Sequence, residues 1–217
     1  MRKMSINNNT FRGIIMKTFF LATILTLASI TIADAQTTIW KADKTHSNVY
    51  FTVTHLMISE VTGSFKDFEI TVTSTGDDFL SASIEAVIKT ASVSTDNLNR
   101  DKHLRSNDFF NSDSFPNMTF KSTKIEKTGE GIYQIYGDLT IRDVAKPVVL
   151  DAIYKGSVEA WGTTFQGFKA TATVNRFDYG VKWDKKMDAG GFIVANKVDV
   201  TLQMELAKQG KPEETKK

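Results

Sequence analysis

Lys197-Val198-Asp199-Val200-Thr201-Leu202-Gln203-Met204-Glu205-Leu206 alternates polar and apolar side chains without a break. Successive residues of a strand point to opposite faces, so this decapeptide has one buried face and one wet face. A helix would scatter the same apolar residues around its circumference. The period recurs along the chain. Val49, Phe51 and Val53 alternate with Tyr50, Thr52 and Thr54. Ala82, Ile84, Ala86 and Ile88 alternate with Ser83, Glu85, Val87 and Lys89, a pattern broken only at Val87. Val148, Leu150, Ala152 and Tyr154 share one face, as do Phe168, Ala170, Ala172 and Val174. About eight strands follow, at 39–43 continuing to 46–55, 63–73, 81–89, 118–127, 132–141, 147–160, 164–175 and 196–207.

Short gaps with turn residues, such as Gly129-Glu130-Gly131 and Gly162, favour hairpins and hence antiparallel pairing. Two segments break the rhythm. The stretch 94–112 is the one helix candidate, with Asp96 as N-cap and Asp101 placed to pair with Arg105. The stretch 176–195 reads as a long loop ending in Gly190-Gly191. Two packed sheets would fit the strand count, but a barrel removes the exposed edges of a long meander. The expected fold is therefore all-β: an antiparallel barrel of about eight strands with one helical insertion.

Inward positions include Ala82, Ala86, Ala152, Ala170 and Ala172 beside Phe51, Phe120, Tyr154, Phe168 and Met204. Eight strands give a lumen that side chains can fill or that can hold one small ligand. The residues leave both states open. If the barrel is hollow, its lining comprises Val49, Phe51, Val53, Ile84, Phe120, Leu150, Ala152, Tyr154, Phe168, Ala170, Val200, Leu202 and Met204.

Residues 1–35 read as a signal peptide. Lys17 precedes an uncharged run from Phe19 to Ile32, and Ala33-Asp34-Ala35 supplies a small-residue cleavage site. The run is short for a bilayer span, which disfavours a retained anchor. Met16 directly precedes Lys17, so Met1 and Met16 are both candidate starts. The segment 36–208 is then one domain and 209–217 a polar tail. Of the chain's 27 basic and 25 acidic side chains, 1–35 holds four and one, leaving 23 basic against 24 acidic. A near-neutral domain has no general pull on nucleic acid. There are no cysteines, which excludes thiol catalysis and disulfide stapling.

Catalysis finds little support. No Gly-x-Ser-x-Gly, Walker loop or dinucleotide-binding fingerprint is present. His46 and His55 are nine apart and would face opposite sides of an unbroken strand; His103 sits in the helical insertion. No metal site is expected, with His46 bonding a neighbouring turn. Arg100, Asp101, Lys102, His103 and Arg105 form the densest ionic cluster, either a solvated helix face or a polar rim that meets a ligand's head group. Phe109, Phe110 and Phe115 would bury against the barrel, as a lid or as ordinary core.

Several motifs, in order, resemble the YceI-like family. They begin at Trp40-Lys41-Ala42-Asp43 and His46-Ser47-Asn48-Val49-Tyr50-Phe51, and run through Val61-Thr62-Gly63-Ser64-Phe65 and the Arg100–Phe120 region. They continue at Gly137-Asp138-Leu139-Thr140-Ile141-Arg142-Asp143, Lys146-Pro147-Val148 and Asn175-Arg176-Phe177-Asp178-Tyr179-Gly180. Asp143 stands where glycine is expected, and Tyr179 where phenylalanine is usual. The resemblance implies a lipocalin-like barrel exported to the periplasm, with a hollow lumen for a polyisoprenoid, quinone-type or similar amphiphile. The expected role is a carrier or storage protein, not an enzyme, with no cofactor beyond a bound isoprenoid or quinone lipid. Head-group candidates are His55, Arg100 and His103. Transient membrane contact for lipid exchange and a homodimer are compatible with this reading. The alternatives are a filled barrel without ligand, serving the envelope or stress protection, and a hydrolase acting on an amphiphile.

Overall fold

The computed structural model describes residues 37–75, 78–188 and 190–210, which fall in one compact unit. The expected signal segment and tail residues 211–217 lie outside the described residues. Among the described residues there are eleven strands: β1 (Thr37–Ala42), β2 (Asn48–His55), β3 (Ser59–Phe65), β4 (Phe68–Thr75), β5 (Asp78–Lys89), β6 (Val93–Ser94), β7 (Asn117–Gly129), β8 (Ile132–Ile141), β9 (Val144–Ala160), β10 (Thr163–Asn175) and β11 (Val194–Lys208). One α-helix, α1 (Leu98–Arg105), interrupts them, and a short 3₁₀ turn covers Arg176–Tyr179.

Pairing is antiparallel throughout and closes on itself. β1, β4, β5, β7, β8, β9, β10 and β11 follow one another, and β11 returns to β1 through Ala42↔Leu206, Lys41↔Ala207 and Trp40↔Lys208. The other end of β11 pairs with β2, which continues to β3 and β6. So β1 and β2 are halves of one bent strand, β3 and β4 halves of the next, and β6 prolongs β5. Counted this way, the chain is an eight-stranded closed barrel, as expected. The expected strand 39–43 continuing to 46–55 appears as β1 and β2, and the expected 63–73 is corrected to β3 and β4, which divide at Lys66–Asp67, with β3 starting four residues earlier at Ser59. The inward face passes from even to odd positions between Ala42 and Val49, and from odd to even between Phe65 and Phe68, so each bend shifts the alternation by one residue.

Side chains replace the ladder at these bends. Ser47, 3% exposed, donates through Oγ to the Glu205 carbonyl (3.2 Å) and accepts from the Glu205 N–H (3.0 Å). Both backbone groups of Glu205 are thereby satisfied where β1 gives way to β2. Similarly, Ser122 Oγ accepts from Ile84 N at 2.8 Å, beside a bulge between β7 and β8.

The helical excursion is shorter than the expected 94–112. Asn97, not Asp96, is the N-cap, its side chain accepting from Arg100 N at 3.0 Å. Asp96 has φ +58°, which removes it from the capping position. Asp101 does not pair with Arg105. It is buried and accepts from Thr95 N (2.8 Å) and Thr95 Oγ1 (2.6 Å), while Arg105 donates to the carbonyls of Ala91 and Val93. Thr90 closes the base of the excursion: its N–H meets the Pro116 carbonyl and its hydroxyl the Phe115 carbonyl.

Candidate functional site: a two-chambered lumen

The barrel is hollow. An upper chamber of about 310 Å³ lies beneath α1 and the β2–β3 hairpin, and a lower one of about 110 Å³ lies in the closed part of the barrel. Val49, Leu139, Val174 and Val200 line both, so the chambers meet at an aliphatic waist. The larger volume lies at the small end of the about 300–1,000 Å³ typical of ligand pockets.

The lower chamber is built by the small inward residues. Ala86, Ala152, Ala170 and Ala172 line it, with Ile84, Phe120, Leu150, Phe168, Leu202 and Met204. Large side chains on facing strands do not reach far enough to close the space left by four alanines. Its floor is aromatic: Phe79 stacks on Phe168 (4.6 Å between centroids), and Tyr133 and Tyr154 pack against this pair at 5.8 and 5.1 Å. Tyr154 faces inward as expected but belongs to this floor; it lines neither chamber.

Phe51 and Val53 line the upper chamber, with Val61, Phe65, Ile193 and Val194. The excursion roofs it through Leu104, Phe109 and Phe110. Phe110 meets Phe65 edge-on at 5.4 Å, while Phe109 and His103 pack against Trp183 at 5.5 and 5.6 Å. Phe115 instead lies under the Arg142 guanidinium, which also donates to the carbonyls of Asn107 (3.0 Å) and Phe109 (2.8 Å). Arg142 thus ties the roof to the β8–β9 turn.

His55, Arg100 and His103 all reach the wall of the upper chamber. Two of them are already engaged. Arg100 commits two of its five N–H donors to Thr95, through Nε to Oγ1 (2.7 Å) and Nη2 to the carbonyl (2.8 Å). His103 Nε2 lies 2.8 Å from Asp108 Oδ2.

The strongest polar feature of the wall is one that sequence reasoning gave no role: Arg176. It is 6% exposed and donates to three backbone carbonyls, Ala195 (2.9 Å), Val181 (2.8 Å) and Val194 (3.1 Å), with Phe177 below its plane at 4.4 Å. These bonds use three of its five N–H donors. Burial lowers the proton affinity of the guanidinium, opposed by the nearby charge of Asp184. Three residues on, Tyr179 is 2% exposed, and burial pushes its hydroxyl up to about 12, helped by Asp178. The signal was the Asn175–Gly180 motif itself, five polar or aromatic residues and a glycine where the expected strand 164–175 gives way to the loop.

His46 lies apart from the lumen. Its Nδ1 meets Asp43 Oδ2 at 2.9 Å and Glu205 Oε1 at 3.6 Å, so it does bond a neighbouring turn. The bond to Asp43 raises its pKa above the usual histidine value and holds Asp43 below the usual carboxylate value. The His46 ring nitrogen and the two carboxylate oxygens lie within 4.8 Å of one another. The sequence concealed this grouping, because Glu205 comes from the other end of the chain.

A family model, the YceI-like domain, matches residues 40–206, which is nearly all of the described barrel. The chain belongs to the YceI-like family. Among its relatives, a UPF0312 protein of Pseudomonas putida is 33% identical over 197 residues, spanning 89% of this chain and 99% of the relative. A UPF0312 protein of Staphylococcus epidermidis is 32% identical over 167 residues, spanning 76% and 95%. The YceI-like fold is shared with the crystal structure of the Campylobacter jejuni YceI protein: TM-score 0.64, 30% identity, covering 72% of this chain and 90% of that one. A polyisoprenoid binding domain from Saccharophagus degradans has the same fold at 12% identity, with TM-score 0.57 and coverage of 78% and 98%.

Proposed function

We propose that this YceI-like protein binds a long isoprenoid or similar amphiphile inside the barrel and carries or stores it outside the cytoplasm, acting as a binding protein and not an enzyme. The observation that carries this reading is the pair of chambers meeting at Val49, Leu139, Val174 and Val200. An aliphatic tunnel closed below by stacked aromatics fits a chain with one apolar end. Burial of each CH₂ contributes about 0.8 kcal/mol, so few polar contacts are needed. The fold shared with a polyisoprenoid binding domain supports the same ligand class. The apolar end occupies the lower chamber, lined by Leu150, Ala152, Ala170, Leu202 and Met204. The polar end stays in the upper chamber beside Arg176 and the rim residues His55, Arg100 and His103. A quinone carbonyl, hydroxyl or phosphate oxygen there meets the unspent donors of Arg176. Export rests on the signal-like segment 1–35.

Titration with a fluorescent prenyl probe tests the reading. Saturable binding by the wild type and its loss in a folded Leu202→Lys variant is the expected result. Undiminished binding in that variant would remove the ligand from the lower chamber.

A further inference from the structure

The β2–β3 hairpin turns in an unusual way. Leu56 has φ +50° and Met57 φ +62°, with Ile58 N–H returning to the His55 carbonyl at 3.2 Å. Two successive left-handed residues make the tight turn that Asn-Gly or Asp-Gly ordinarily serves. Leucine and methionine adopt that conformation at a cost, and such strain persists only where the surroundings enforce it. Here Leu56 N–H is held by the Ile193 carbonyl at 2.8 Å. Met57 lies over Gly191, where a Cβ would stand 2.8 Å from its Cε. The strained turn does not hide its side chains. Ile58 is 87% exposed and Met57 51%, and Phe192 stands beside them, partly exposed. Lys186, whose backbone bridges to Phe192, is exposed with Lys182 and Lys185, against Asp184 and Asp188 on the same segment.

This apolar, lysine-flanked tip borders the upper chamber on two sides. His55, immediately before Leu56, and Ile193, immediately after Phe192, both line it. Exposed apolar side chains flanked by long cationic ones suit a membrane interface, the apolar groups entering the acyl boundary and the ammonium groups staying at the headgroups. We propose that Met57, Ile58 and Phe192 dock this end of the barrel on a lipid bilayer, seating the chamber mouth against it. A hydrophobic cargo then passes between bilayer and lumen without crossing water. The docking face deepens the lumen-binding reading and rests on it for its purpose, though not for its chemistry.

The test is sedimentation with phosphatidylethanolamine–phosphatidylglycerol vesicles, alongside prenyl-probe binding in solution. The full chain as processed is compared with Met57→Ser/Ile58→Ser and with Val158→Ser/Trp161→Ser. The latter pair removes exposed apolar side chains from the β9–β10 hairpin at the opposite end, where Trp161 is 90% exposed. The expected result is wild-type co-sedimentation, at least a tenfold loss of vesicle affinity in the Met57/Ile58 variant with unchanged probe affinity, and no loss in the Val158/Trp161 variant. A wild type that binds probe but stays in the supernatant would overturn the docking face, as would loss confined to the Val158/Trp161 variant. Vesicle binding through Met57 and Ile58 with no probe binding would uphold the docking face and overturn the cargo reading alone.

Discussion

The ring of Phe120 lies over the backbone of Gly137: a Cβ at Gly137 would stand 2.6 Å from Phe120 Cε2 and 2.5 Å from the Lys121 carbonyl. Phe120 sits flat against the wall of the lower chamber because its neighbouring strand has no side chain there. Gly63 and Phe51 repeat the relationship in the upper chamber, at 2.6 Å from Phe51 Cε1. Two glycines thus let large rings line the lumen instead of filling it. Gly137→Ala is expected to cost about 1–3 kcal/mol of stability by overpacking and to push Phe120 into the chamber, weakening probe binding. Thermal melts and probe titration check both. Adding Phe120→Leu restores part of the stability but not all of it, since the clash with the Lys121 carbonyl remains.

Ala152 faces the lower chamber and is fully buried. Ala152→Val places two further carbons in that space. Without ligand the variant is expected to gain about 1 kcal/mol, seen as a melting temperature about 2–4 °C higher. Affinity for an isoprenoid probe falls in the same variant. Opposite signs for stability and affinity distinguish a ligand chamber from a packing defect.

His46 and Asp43 predict a pH-dependent contribution. The pKa of His46 is raised by its bond to Asp43, so its contribution is complete below the unfolded histidine value of about 6.5 and is lost as pH rises through the higher folded value. The pKa of Asp43 is lowered, so the same pairing is present above the ordinary carboxylate value of about 3.9 and is lost as pH falls through the lower folded value. The difference in melting temperature between wild type and His46→Gln should peak between about pH 4 and 6.5 and shrink on either side. Both side chains are substantially solvated, so the peak is small.

Asp143 occupies the second position of the β8–β9 turn with φ +60°, following Arg142 at +50°. Glycine adopts this conformation without strain. Asp143→Gly is expected to raise stability by about 0.5–1 kcal/mol, read from chemical denaturation. Arg142→Gly relieves similar strain but releases the guanidinium from Asn107 and Phe109, so it should destabilise the roof.

The closed barrel was legible because alternation survives in every long strand; β8 runs 132–141 as its pattern predicts. The bend between β1 and β2 falls where the expected strand breaks at 43–46, whereas the one at Lys66–Asp67 lies inside the single strand expected at 63–73, although the inward face shifts there from Phe65 to Phe68. The lumen residues followed from the same alternation. Tyr154 departs because it packs into the aromatic floor, beside the irregularity where β10 shifts register at Gly167/Phe168. The helix cap was missed by one residue, since Asn97 and Asp96 are equally good capping types and only backbone conformation separates them. Arg176 was illegible as a wall residue because its three carbonyl partners come from residues 181, 194 and 195, which only the folded chain brings together.

Native mass spectrometry of the protein purified from its own producing cells, followed by solvent extraction, tests the central claim most directly. A discrete added mass, released as an isoprenoid or comparable long amphiphile and absent from a Leu202→Lys variant, is the expected result. A bare mass that persists after incubation with quinones and polyprenols, with no extractable lipid, would contradict a cargo-binding lumen and leave the chambers as unfilled packing.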